Sequence, residues 1–295
     1  MYWEEMREEQ FTKAIEDFGG LCVLPLSSLE KHGQHLPVGA DGYIADAVLA
    51  EATKLEDVVI FPTSCWLGDV SAHPETKADG KPKWRGAIEL STDLQLTLLE
   101  ELFDEVRRNG FTKVILFCKQ PATANIAGLF MRYMGYEKRD YAMFTMKAVN
   151  PKVSNPEAVL KAVTGRRADF PMITDEDVKT LERWVAEGVT GVGYCDTALM
   201  LAAQEHLVAT DRYNAETNVP VCDLSGFDAD AITFNGMQNL KCPNIACPAV
   251  PEGCTKSIGQ ALLKLNAEAL AAAFKLLKTD EECMRIANGI PMGQK

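Results

Sequence analysis

The chain has 295 residues, of which 47% are hydrophobic and 24% charged, a balance that suits a packed core and excludes a disordered or low-complexity protein. Its formal net charge of −12 excludes a nucleic-acid or acidic-membrane surface as the main role, since those need clustered Lys and Arg. No uninterrupted apolar run reaches the roughly 18 residues that a membrane-spanning helix needs.

In chain order, residues 3–18 place Phe11, Ala14, Ile15 and Phe18 at near-helical spacing, with Gly19-Gly20 as a stop. The apolar segment Leu21 to Leu24 reads as a buried strand, and a helix is expected from about Tyr43 to Lys54. A second strand runs from Val58 to Phe61, followed by a long irregular stretch from Thr63 to Arg85 carrying Trp66, His73, Glu75 and Trp84. Loops of that length tend to be functional or to meet a partner subunit. Leu90 to Arg108 is an amphipathic helix that Ser91 or Thr92 would cap, and Val114 to Phe117 is a third buried strand. A helix from Pro121 or Thr123 to Met134 and a strand from Tyr141 to Met146 follow. Further on come a short helix around Pro156–Ala162, a helix capped at Thr174 and running to Glu187, and another from Asp196 to Gln204. A short strand is expected at Val219–Val221, an irregular Pro- and Cys-rich stretch over 223–256, and a long helix from Ser257 to Lys278. Short apolar strands alternating with amphipathic helices predict an α/β fold: one domain over residues 1–295, with a mostly parallel central sheet and helices on both faces.

Potential chemistry is densest just after the first strand. Glu30, His32, His35 and Asp41 arrive together there, with Gly33 and Pro37 shaping the backbone. The ends of strands are where α/β proteins hold ligands. A two-residue step from 30 to 32 puts both side chains on one side of an extended chain. Two carboxylates beside an imidazole are hard ligands for a divalent ion, and they are electrostatically costly to keep together without one. The bland alternative is a solvated loop. Nine Cys, an odd number, and an acidic N-terminus without an apolar leader point to a reducing, cytoplasmic setting with mostly buried thiols. The C-x4-C-x6-C run Cys242, Cys247, Cys254 lacks a close pair or a nearby His, so buried thiols fit it better than structural zinc. Neither a Walker motif nor a dinucleotide-binding glycine pattern is present.

The run Pro25 to Asp41 resembles the first signature of the creatininase (creatinine amidohydrolase) family, Pro-Leu-Gly-Ser-x-Glu-x-His-Gly-Pro-His-Leu-Pro-Leu-x-Thr-Asp. Glu30, His32 and Asp41 fall on its Glu, His and Asp, while Ser27, Gln34 and Ala40 replace a Gly, a Pro and a Thr that are not ligands. In the family the Glu and the His each bind one ion of a two-metal centre and the Asp bridges both. The resemblance thus implies Glu30, His32 and Asp41 as ligands for one or two ions of zinc, manganese or iron. The family's second ligand motif, Asn-Gly-His-Gly-Gly-Asn or a form with Glu in fifth place, maps to Gln120–Asn125, where Ala122 and Ala124 stand at the ligand positions. A third signature puts Asp196 on a family Glu and Gly191 on a family His, and Thr255 and Gly259 echo a fourth region.

Two explanations fit the missing ligands. Either His35, His73, Glu75, Gln120 and Asp196 rebuild the centre, with a neighbouring subunit's loop 63–85 as one source, or the ordinary dinuclear centre is gone, leaving one weakly held ion or none. The resemblance implies a metal-dependent hydrolase acting on an amide, cyclic amide or related carbonyl ring of a small polar substrate. Asp196, His35 and His73 are the candidate catalytic residues, with Asp196 the candidate for proton transfer or ion support. Creatinine itself is disfavoured by the loss at Ala122. A homo-oligomer, a hexamer by resemblance, with no nucleic-acid or membrane partner, is expected. The alternative is a non-catalytic small-molecule binder or structural subunit.

Overall fold

A computed structural model describes residues 1–62, 86, 88, 90–119, 121–135, 141–189, 192–214 and 249–279. Strands β1 (Leu21–Leu26) and β3 (Lys113–Cys118) are its centre, and every one of their residues is buried. Burial of both faces is what a continuous apolar run, rather than an alternating one, requires. With β2 (Val59–Ile60) and β4 (Ala142–Lys147) they form, among the described residues, a four-stranded, wholly parallel sheet in the order β2-β1-β3-β4.

Strand periodicity sorts the side chains between two helical layers. Cys22, Leu24 and Leu26 of β1 and Val114, Leu116 and Cys118 of β3 face α1 (Glu8–Asp17), α3 (Thr92–Arg108) and α4 (Pro121–Met134), packing on Ala14, Phe103 and Phe130. The intervening Leu21, Val23, Ile115 and Phe117 face α2 (Ala40–Thr53) and the long helix α9 (Lys256–Thr279), against Val48, Leu49, Leu270 and Phe274. A third cluster joins α9 to α6 (Pro156–Gly165), α7 (Asp175–Ala186) and α8 (Val192–Gln204) around Trp184, Leu199 and Leu262. Helices therefore cover both faces, as the sequence pattern implies.

Local chemistry explains where the helices begin. Ser91 Oγ accepts the Leu94 N–H at the start of α3. At α7, Thr174 Oγ1 accepts the Asp177 N–H while Asp177 Oδ2 accepts the Thr174 N–H, the reciprocal arrangement that satisfies two orphan donors. Asp177 Oδ1 also accepts the Thr255 hydroxyl at 2.7 Å, so one carboxylate fixes the starts of both α7 and α9. Lys113, at the first position of β3, donates to Leu277 O at 2.7 Å and satisfies a carbonyl at the far end of α9.

Several boundaries differ from expectation. The first helix is split into a 3-10 turn, Trp3–Glu5, and α1, because the Trp3 ring is taken into a cluster with Phe11, Phe61 and Phe111. Ahead of α6 lies a short helix α5 (Pro151–Ser154); Asn150 and Asn155 cap the two, each followed by a helix-starting Pro. Helix α8 begins at Val192, so Asp196 is in its second turn and is not its cap. The expected strand 219–221, the loop 63–85 with Trp66, His73, Glu75 and Trp84, and the positions Gln120, Gly191, Cys242 and Cys247 lie outside the described residues. Among the described cysteines, Cys22, Cys118, Cys195 and Cys254 are free thiols, three of them buried. No helix among the described residues is long and apolar enough to cross a membrane.

The strand order carries the functional consequence. From β1 the chain moves to β2 through α2 on one face; from β3 it moves to β4 in the opposite direction through α4 on the other face. The reversal makes a topological switch point beyond the carboxyl ends of β1 and β3, the usual ligand position in an open α/β sheet.

Candidate active site

Glu30, His32 and Asp41 meet at that switch point. Beyond Leu26 the backbone turns back on itself, with the Glu30 N–H donating to Val38 O at 3.0 Å. That closure brings the strand exit against the first turn of α2, where Asp41 sits. All three residues are buried, Asp41 completely. One ligand atom from each lies within 4.8 Å of the other two. His32 Nε2 is 3.4 Å from Asp41 Oδ2 and 3.7 Å from Glu30 Oε1. The positive end of the α2 dipole and the Ser28 hydroxyl, which donates to Asp41 Oδ2 at 3.4 Å, both favour a carboxylate at position 41.

Lys119 enters from β3. Leu26 and Cys118 are register partners, so Lys119 emerges beside the β1 exit, and its side chain is only 6% exposed. Its ammonium is 3.3 Å from Asp41 Oδ1 and 2.9 Å from Asp196 Oδ1. Burial alone would push the Asp41 carboxyl up, but Lys119 and His32 outweigh it and hold the group well below the usual carboxylate range. Burial would likewise lower the Lys119 pKa, yet Asp196 and Asp41 together raise it. Asp196 differs. Burial dominates there, Lys119 offsets only part of it, and the pKa rises. The contrast has a plain cause: Asp41 is contacted by Lys119, His32 and Ser28, whereas Asp196 Oδ2 is buried with no hydrogen-bond partner among the described residues.

His35 stands apart from the three clustered ligands. Gly33, at φ 74°, makes the turn between His32 and His35, and a Cβ there would press to 3.1 Å from His35 Nδ1. His35 Nε2 is 3.0 Å from Thr197 Oγ1, and Thr197 donates its own proton to Gly193 O at 2.8 Å. The hydroxyl therefore accepts from His35, which places the imidazole proton on Nε2 and leaves the Nδ1 lone pair open. Burial, followed by the neighbouring His32, lowers the His35 pKa and keeps the ring neutral near pH 7. The Tyr213 ring packs edge-on against it at 5.4 Å.

The fold thus brings together Glu30, His32, Asp41, His35 and Asp196, while His73 lies outside the described residues. Lys119, Thr197 and Ser28 are the members that sequence reasoning missed. A lysine at the exit of a fully buried central strand was the available signal, since burying an ammonium demands anionic partners. The donor set fits one divalent ion: two carboxylates and an imidazole converge within reach of a single point, and a further buried carboxylate oxygen, on Asp196, has no hydrogen-bond partner among the described residues.

A family model described as Creatininase: Creatinine amidohydrolase matches residues 4–274 of the chain. No curated protein sequence matches. Among solved structures, the crystal structure of creatinine amidohydrolase (creatininase) is 15% identical with a TM-score of 0.62, covering 94% of this chain and 98% of that one. A substituted creatininase of Zn-Zn type is 16% identical with a TM-score of 0.62, and a structure given as "Creatininase Mn" is 16% identical with a TM-score of 0.57. Each of these also covers 94% of this chain and 98% of its own.

Proposed function

The chain belongs to the creatininase family, and from that premise we propose that it is a single-domain, metal-dependent hydrolase that opens a C–N bond, or a related carbonyl ring, in a small polar substrate. The observation that carries this reading is the convergence of Glu30, His32 and Asp41 at the switch point of the sheet. These three residues would hold a divalent ion, zinc or manganese by analogy with the relatives given as Zn-Zn and Mn forms. When bound there, such an ion supplies Lewis-acid polarisation of a carbonyl and an acidified water.

The protein's own groups do the rest. Asp196, with a pKa raised above the ordinary carboxylate value and one oxygen without a hydrogen-bond partner among the described residues, is suited to take a proton and return it to a departing nitrogen. Lys119 keeps the Asp41 carboxylate charged and in place. His35, neutral and with its proton committed to Thr197, offers Nδ1 as an acceptor that would orient the substrate or a water. The family's small-molecule chemistry, a hexameric assembly and a cytoplasmic location belong to the same proposal.

Purified protein loaded with Zn2+ or Mn2+ is expected to hydrolyse at least one member of a panel of small amides, lactams and cyclic ketones. Dialysis against a chelator should abolish that turnover and re-addition of the ion restore it. His35→Asn should lower kcat by about 100-fold, the order of what losing an orienting contact costs, with metal content unchanged. Metal-free protein without turnover on any panel member, yet stabilised by one of those compounds, would instead establish a non-catalytic binder.

A further inference from the structure

Asp41 divides its two oxygens between two different cations. Oδ2 faces His32 at 3.4 Å and Oδ1 faces the Lys119 ammonium at 3.3 Å. On its other side the same ammonium is 2.9 Å from Asp196 Oδ1. The resemblance to the family's second ligand motif implies positions 122 and 124 as the places that would complete a second metal shell, and both are alanines with no ligand atom. We propose that Lys119 is a built-in replacement for one of the two metal ions, so that Asp41 bridges a single divalent ion to an ammonium and the site is mononuclear.

Three physical points support it. A buried ammonium needs compensating carboxylates, and Lys119 has two at ion-pair distance. A second divalent ion on Asp41 Oδ1 would sit against that ammonium in a nearly dry pocket, where like-charge repulsion is weakly screened. The lysine is also fixed covalently at the end of the fully buried β3, so the positive charge persists whatever the metal supply. The inference rests on the metal-dependent reading above and deepens it: this chain would need one ion where a dinuclear enzyme needs two.

The test is metal stoichiometry. Apo protein is titrated calorimetrically with Mn2+ and with Zn2+, and dialysed loaded protein is measured by elemental analysis. Wild type is expected to hold one ion per chain. Lys119→Ala, which leaves Asp41 Oδ1 and Asp196 facing each other without a cation, is expected to take up a second, more weakly bound ion. Its melting temperature should therefore rise with added Mn2+ more than that of wild type. Lys119→Arg keeps the charge and should stay at one ion. Two ions in wild type overturn the inference while leaving the hydrolase reading intact, whereas no ion in wild type under any loading condition overturns both. A Lys119→Ala protein that binds one ion and gains nothing further from Mn2+ also overturns it. If that variant fails to fold, the wild-type and Lys119→Arg stoichiometries still decide.

Discussion

Asp41→Asn is expected to empty the metal site and silence the protein. The substitution is nearly isosteric but removes the charge that meets His32 and Ser28 on Oδ2 and Lys119 on Oδ1. An amide is a poor ligand for a divalent ion beside an imidazole, so bound zinc or manganese should fall to near zero after dialysis. Turnover should drop by about 1,000-fold, the upper end of what losing one preorganised electrostatic stabiliser costs. A stability loss should accompany it, because the Lys119 ammonium then keeps, among the described residues, Asp196 alone as a buried counter-charge. Removing one partner of a buried pair typically costs about 3–5 kcal/mol. Elemental analysis, steady-state assay and denaturant unfolding of the variant measure the three effects separately. A variant that retained one ion per chain and most of its turnover would show that Glu30 and His32 hold the metal without Asp41.

The parts of this site that were legible in the sequence are those whose geometry is local. Glu30 and His32 are two residues apart at a strand exit, and Asp41 reaches them through one short turn, so spacing alone brings the three together. The fold was legible for a related reason. Leu21–Leu26 and Lys113–Cys118 are nearly continuous apolar runs, which only a sheet covered on both faces accommodates. Lys119 was not legible. Its role depends on pairing with Asp41, 78 residues away, and on β1 and β3 being sheet neighbours. Thr197 is a similar case, since a hydroxyl inside an apolar helix reads as a backbone-bonded filler until His35, 162 residues earlier, is folded against it. The start of α8 was misplaced because an acid near the beginning of a helix is normally a cap or a dipole partner. Here Asp196 points into the core instead, at 1% exposure, and the helix begins earlier at Val192.

Helix α8, which carries Asp196 and Thr197, is crossed by α9 at backbone contact, and the contact is made at Gly259. A Cβ at that position would fall on the Ala198 carbonyl oxygen, 2.6 Å from its carbon and 3.1 Å from the Ala202 side chain. None of these atoms is the far end of a flexible side chain, so no rotamer change relieves the clash; one helix must move. Leu262 and Phe274 anchor α9 in two cores, and α8 cannot retreat without drawing Asp196 from Lys119 and Thr197 from His35. Gly259→Ala should therefore destabilise the protein by about 4 kcal/mol or more, a size reserved for overpacking and similar failures, despite the higher helix propensity of Ala. For a chain this long that corresponds to a melting temperature lower by roughly 10 °C. Gly128→Ala supplies the opposite sign. That glycine lies within α4 and a Cβ there meets nothing within 4 Å, so the substitution should stabilise by about 0.5–1 kcal/mol through helix propensity. Thermal unfolding of the two variants side by side separates close helix packing from propensity. Equal effects at both positions would mean that α8 and α9 do not cross at Gly259.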